Sequence, residues 1–187
     1  MKWLEKVKEF VKQSFVTAGD VYDLKHFERT VYWLLLLKPD ADEALQAAAY
    51  AHDIERAFRD KSYNKISENA KGFVSSEHLS HHQEIGAKII ADFLTAEGAD
   101  KNFINKVKSL IAHHEVGGTT EENLLKDSDS ISYFENQINM FINRKVLEAG
   151  KQKVREKFDW MFNRITSEQA KSIAYPMYQT AIKELEK

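Results

Sequence analysis

Histidine and aspartate are the residues of this sequence best placed to do chemistry. All seven histidines fall between positions 26 and 114: His26, His52, His78, His81, His82, His113 and His114. His52 is followed directly by Asp53 inside the apolar run ALQAAAYAHDIERAF, and Asp127 and Asp129 lie further along. Neutral imidazole and carboxylate, in a chain with no cysteine, suit one or two divalent transition-metal ions such as Mn, Fe, Co, Ni or Zn. The argument is sharpest at His52-Asp53. Consecutive helical residues point about 100° apart, so the pair cannot both face solvent on a helix otherwise made of Ala and Leu. A lone ionised carboxylate in a core is very costly, and buried charges are paired or metal-bound.

Each position also has a plainer reading. His26 alone fits a hydrogen-bonded core histidine, and Asp53 can be neutralised by an arginine such as Arg29. The doublets His81-His82 and His113-His114 can be polar helix ends, where the dipole favours imidazolium at a C-terminus. Taken together these readings need independent coincidences on four helices, so a metal site is the expectation.

The elements that must position these residues are helical. Apolar residues recur at spacings of three and four, no segment alternates, and the chain has two prolines and seven glycines, which predicts an all-α bundle of about seven to eight helices. A first helix covers 2–15. A second runs from Asp23 to Leu37 and stops at Lys38-Pro39, because the residue before proline avoids the helical region. Asp40 is placed to cap a third helix, with Glu43 completing a capping box, and that helix extends to Phe58. The polar stretch over 59–75 reads as a loop. Helices follow over 76–98 and 100–115, and Thr119 with Glu122 opens the helix that carries Asp127 and Asp129. Two more cover 151–165 and 167–186, the last interrupted at Pro176. The basic run from Arg144 to Lys157 reads as a solvated face with some pull on anions, and Met161 and Phe162 as core residues near a substrate pocket.

Bulk properties narrow the class further. With 187 residues, 43% hydrophobic and 30% charged, the chain is long enough for one domain over 1–187: a metal-site core at about 20–135 and C-terminal helices at about 150–187 packed on it. A formal net charge of −2 gives no general attraction to a nucleic-acid duplex or an anionic membrane. The longest apolar run, TVYWLLLL, is too short to span a bilayer, and MKWLEKVKEF is unlike a secretory signal, so a cytoplasmic protein is expected. Oligomeric state has no signature here.

The order His26, His52-Asp53, His82, His113-His114, Asp129 resembles the HD-domain metal-dependent phosphohydrolase superfamily. KHFERTV, with His26 and Arg29, is similar to that superfamily's first-ligand helix, and AHDIER to its central motif. HHQEIGA resembles a stretch of the subgroup that hydrolyses cyclic dinucleotides, which selects His82 over His78 and His81. AHHEVGG is similar to the HHE motif, and DSDSISYF to the closing segment, favouring Asp129 over Asp127. The glycine-tyrosine-proline element of the cyclic-dinucleotide subgroup is absent, since Gly117-Gly118 leads into Thr119-Thr120, which argues against that substrate.

The resemblance implies a phosphohydrolase acting on a nucleotide or other small phosphorylated metabolite. His26, His52, Asp53 and Asp129 would hold a first ion; His82, His113 and His114 would hold a second, bridged by Asp53. Asp53 would orient the attacking water. Arg56, with Arg29 or lysines of the 59–75 loop, would contact the phosphate. The plainer reading of Arg56 is a salt bridge to Glu55 or Asp60. The same ligand pattern also resembles di-iron oxygenases of the superfamily, and a non-catalytic, metal-stabilised ligand-binding module is a third reading.

Overall fold

In the computed structural model, which describes residues 2–21, 23–59 and 74–187 without the side chains of positions 77 and 78, helix α1 (Lys2–Ala18) packs Leu4, Val7, Val11 and Phe15 inward. Their spacing of three and four puts all four on one helical stripe. Helix α2 (Leu24–Leu37) ends at Lys38, one residue before Pro39, as its sequence predicts.

Helix α3 (Glu43–Ala51) departs from expectation at both ends. Its cap is Asp42, whose side chain accepts the Leu45 N–H at 2.9 Å, while Asp40 pairs with Lys38 instead. Glu43 does not close a capping box. Its Oε1 accepts the N–H groups of Trp3 and Leu4 at 2.7 and 3.0 Å. Those are donors with no partner inside α1, and a carboxylate there also faces the positive end of the helix dipole. At the other end α3 does not run on to Phe58. Residues 52–54 form tight turns with i to i+3 hydrogen bonds, such as Ile54 N–H to Ala51 at 3.0 Å and Arg56 N–H to Asp53 at 3.0 Å, before the short helix α4 (Glu55–Phe58). The buried alanines 44, 47, 48, 49 and 51 let neighbouring helices approach α3 closely.

Helix α5 (Ser76–Ala96) pairs with α6 (Lys101–Ala112), which Asp100 caps through the Phe103 N–H at 3.0 Å. Helix α7 (Thr120–Asn136) begins with the capping box of Thr119 and Glu122 and packs along α2. The chain then makes short pieces where no helix was expected: α8 (Ile138–Met140), a π-helical turn (Phe141–Lys145) and α9 (Val146–Ala149). Helices α10 (Lys151–Asn163) and α11 (Glu168–Glu186) complete the fold. The expected interruption at Pro176 does not occur. Pro176 and Ser172, whose carbonyl loses its helical donor, both face solvent, so water can satisfy that carbonyl.

Two apolar clusters organise the molecule. One gathers α1, α2, α3, α5 and α6 and ends at Leu125; the other joins Ile131, Tyr133 and Phe134 of α7 to Phe141, α10 and α11. Between them α7 buries the polar run from Lys126 to Ser130, together with Ser132. Among the described residues no helix is long and apolar enough to cross a membrane.

Candidate metal centre

Four histidines from four elements converge on that polar seam. Their rings form an edge-to-face row: His26 to His52 at 5.2 Å, His52 to His114 at 5.2 Å, and His114 to His82 at 5.3 Å between centroids. Each Nδ1 is occupied by an acceptor. His52 Nδ1 meets the Ala49 carbonyl at 2.9 Å, and His114 Nδ1 meets that of Ile111 at 2.8 Å. His82 Nδ1 meets Glu55 Oε2 at 2.7 Å. His26 Nδ1 lies 2.8 Å from Ser132 Oγ, whose one proton goes to the His26 carbonyl at 2.8 Å, so His26 must be the donor. The neutral form of each of the four rings therefore carries its proton on Nδ1, which leaves the Nε2 lone pair pointing into the cluster.

What those lone pairs face is carboxylate. His26 Nε2 lies 3.0 Å from Asp129 Oδ1, and His52 Nε2 is 3.3 Å from the same oxygen and 3.6 Å from Asp53 Oδ2. His82 Nε2 is 2.8 Å and His114 Nε2 3.8 Å from Asp53 Oδ1. Lone pair against carboxylate is repulsive unless a cation lies between them. Among the described residues neither His52 Nε2 nor His114 Nε2 meets a partner in good hydrogen-bond geometry, although both side chains are fully buried. Two ligand groups result, His26–His52–Asp53 and Asp53–His82–His114, with donor atoms in each within 4.8 Å of one another and Asp53 common to both. Orphaned, buried imidazole nitrogens beside carboxylates fit a divalent transition metal.

The electrostatics agree. Burial opposes charge on His52, yet Asp53 and Asp129 override it and push the imidazole up to about 9. Burial raises and Arg56, His52 and His82 more than reverse the shift on Asp53, leaving its carboxyl well below the usual range. His114 is driven the other way, down to about 4, by burial and by the neighbouring His52 and His82 cations, so it presents a neutral ring. Without metal, protons on His52 and His82 take the cation's place.

Several supporting residues carry no local sequence signal. Arg164, buried at the end of α10, bonds Glu115 with one terminal nitrogen and Asp129 with the other, and its Nε donates to Ser130 Oγ at 2.9 Å. Glu115, the acid of AHHEVGG, thereby stands 3.8 Å from His114 Nε2. The turn that delivers it needs Gly117, at φ +73°, where a Cβ would lie 2.1 Å from Asn123 Oδ1. Glu55 pairs with His82 and with Arg59 at 2.9 Å, which leaves its carboxylate in the centre rather than on the surface.

Of the residues singled out from sequence, His26, His52, Asp53, His82, His114 and Asp129 meet in this cluster. Arg56 stands at its mouth, with one nitrogen 2.9 Å from Asp53 Oδ2 and the other 3.5 Å from Asp23 Oδ2; of the two expected surface acids, Glu55 bonds His82 and Arg59 instead, and Asp60 lies outside the described residues. His113 does not join. Its half-exposed ring lies 2.9 Å from the Ser109 carbonyl and 3.0 Å from Glu122. Arg29 is also elsewhere, on the surface, bonded to Glu135 at 2.8 Å and stacked on Tyr32. Asp127 accepts the N–H groups of Thr166 and Ser167, each at 2.8 Å, and so holds the turn into α11, whose cap is Ser167. His81 is exposed, while the His78 side chain and the lysines of 60–73 lie outside the described residues. Met161 lines a small pocket together with His26, Asp53 and Asp129, and Phe162 stacks on Tyr178 instead.

The chain matches a family described as a domain of unknown function, DUF4202, over residues 7–185. None of the curated proteins matches it. Its fold is similar to the crystal structure of a protein described as a predicted HD superfamily hydrolase from an uncultured Thermotogales bacterium. The TM-score is 0.56 at 16% identity, over 97% of this chain and 88% of that one. A likeness at that identity speaks for a common fold.

Proposed function

The chain belongs to the DUF4202 family, and on that premise we propose that it is a metal-dependent phosphohydrolase acting on a nucleotide or other small phosphoester. The observation that carries the reading is the pair of unpartnered Nε2 atoms, on His52 and His114, converging with two further imidazoles on Asp53 and Asp129. The fold held in common with a protein described as a predicted HD superfamily hydrolase supports it.

His26, His52, Asp53 and Asp129 would hold one ion, and Asp53, His82 and His114 a second. A divalent transition metal supplies Lewis acidity when bound: it brings the pKa of its water towards about 7 and polarises phosphoryl oxygens. The protein's own groups do the rest. Asp53 stays ionised through the neutral range, so it holds and orients rather than taking up a proton. Glu55, on His82 Nδ1, and the backbone carbonyls on His52 and His114 Nδ1 fix each ring's tautomer and direction. Arg56, with about a third of its side chain exposed at 35%, offers a fixed positive charge to a phosphoryl oxygen at the pocket mouth.

Elemental analysis of the purified protein, followed by a phosphoester panel with the metal found, tests this. Asp53→Ala should lose both metal and turnover, since Asp53 belongs to both ligand groups. Full activity in that variant would sink the scheme. A wild type that holds iron and consumes oxygen while hydrolysing nothing would move the assignment to an oxygenase.

A further inference from the structure

Lys157, on α10, is a cation that the cluster does not explain. It lies in the basic run that reads as a solvated face, yet it is only 7% exposed and lines the pocket beside Arg56. Its ammonium makes no hydrogen bond or ion pair with any described residue; it rests over the rings of Trp160 at 4.4 Å and Tyr133 at 5.9 Å. Burial brings it down to about 8, with the charge of Glu115 only partly opposing this. The side chain is buried and its ammonium meets no acceptor among the described residues, so an anion in the pocket would pair with it.

Two further groups on the same wall are unspent. The Tyr133 hydroxyl is buried with no hydrogen-bond partner among the described residues. Gln137 donates its Nε2–H to Asp23 Oδ1 at 2.9 Å, which fixes the amide, and its Oε1 has no partner among the described residues. Beside the carboxylates Asp53, Glu115 and Asp129, which belong to the cluster, the pocket thus carries Lys157, the partly paired Arg56 and a hydroxyl donor next to one free acceptor. Resting on the phosphohydrolase reading, we propose that Lys157, Arg56 and Tyr133 seat a phosphoryl group, and that Gln137 Oε1 accepts a hydroxyl beside it. The ligand class is then a phosphomonoester of a polyhydroxy compound, such as a sugar phosphate or the ribose end of a nucleotide. Two cations plus a neutral donor match the dianion of a monoester better than the monoanion of a diester.

Calorimetric titration of inorganic phosphate into manganese-loaded protein tests the seat without requiring turnover. Lys157→Met should weaken phosphate about ten- to hundredfold at unchanged metal content, since a charge-assisted bond to a buried group is lost. Lys157→Arg should recover part of that loss. Tyr133→Phe, which removes only an oxygen with no partner, should keep the fold and weaken phosphate several-fold. Glycerol 1-phosphate should bind more tightly than propyl phosphate if Gln137 reads a hydroxyl. Phosphate affinity within twofold of wild type in both Lys157→Met and Tyr133→Phe, or no phosphate binding by wild type, overturns the seat. Equal affinity for glycerol 1-phosphate and propyl phosphate overturns the hydroxyl reading. Turnover of a phosphoester with Lys157-independent phosphate binding rejects the seat and keeps the hydrolase. Lys157-dependent phosphate binding with no turnover on any phosphoester rejects the hydrolase and keeps the seat.

Discussion

Glu55 shows how much a single residue's role depends on what lies across the fold. In AHDIER it is one more charge on a short stretch; in the structure its Oε2 is 2.7 Å from His82 Nδ1 and its carboxyl is brought to about 2, burial being outweighed by the bonds from His82 and Arg59. An ionised carboxylate behind an imidazole makes the ring a better ligand, and losing such a partner typically costs about 10- to 100-fold in metal affinity. Glu55→Gln keeps an acceptor for the ring proton but removes the charge, so a chelator competition should show the more weakly held ion bound about tenfold less tightly. Unchanged affinity would reduce Glu55 to a packing role. The residues of the cluster were legible, because imidazole and carboxylate on an alanine-rich helix have few other uses. Arg164 was not: its partners Glu115 and Asp129 are 49 and 35 positions away, and no local pattern reports such a pairing. Lys157 was misjudged for the same reason, since a basic run does not reveal which of its members turns inward.

At the scale of elements, helical spacing separates residues that composition leaves equivalent. Asp127 and Asp129 are two apart on α7, so they point about 200° from each other. Asp129 faces the cluster, and Asp127 faces the turn into α11, where it accepts two backbone N–H groups and the Thr166 hydroxyl at 3.1 Å. Asp127→Ala leaves those donors without a partner and should cost about 1–3 kcal/mol in a urea melt, with metal content intact. Asp129→Ala should do the reverse and strip metal first; metal loss from Asp127→Ala would contradict this division. Amphipathic spacing found most of the long helices, since burial of one face sets their period. It did not find the turn at 52–54, which is set by what His52 and Asp53 must reach. Nor did it find the π-helical turn at Phe141–Lys145, or the continuity of α11 through Pro176, where the carbonyl freed at Ser172 faces solvent.

For the whole molecule, the centre ties α2, α3, α5, α6 and α7 together at the seam between the two apolar clusters, with Arg164 reaching in from α10. Metal binding and folding are therefore linked, and the linkage depends on pH in a direction the charges set. His52 faces Asp53, Asp129, His26 and His114, and its folded value of about 9 exceeds the ordinary 6.5. The stability this gives the metal-free protein is fully present below 6.5 and is lost as pH rises through 9; His82, also raised, has the same sign. Lys157, brought down to about 8, acts in the opposite direction only above that pH, so 6.5 to 8 is the clean window. Within it the chelated protein should melt at falling temperature, because each raised group contributes up to about 1.4 kcal/mol per pH unit. Metal displaces those protons, so the loaded protein lacks this slope and its affinity climbs with pH. At a free metal concentration about 100 times the dissociation constant, loading is worth about 2.7 kcal/mol, or roughly 5–10 °C for a chain this long. Calorimetry of loaded and chelated protein at pH 6.5 and 8 should show that gap widening with pH; a gap that stays constant or narrows would mean that metal and proton do not compete for the same imidazoles.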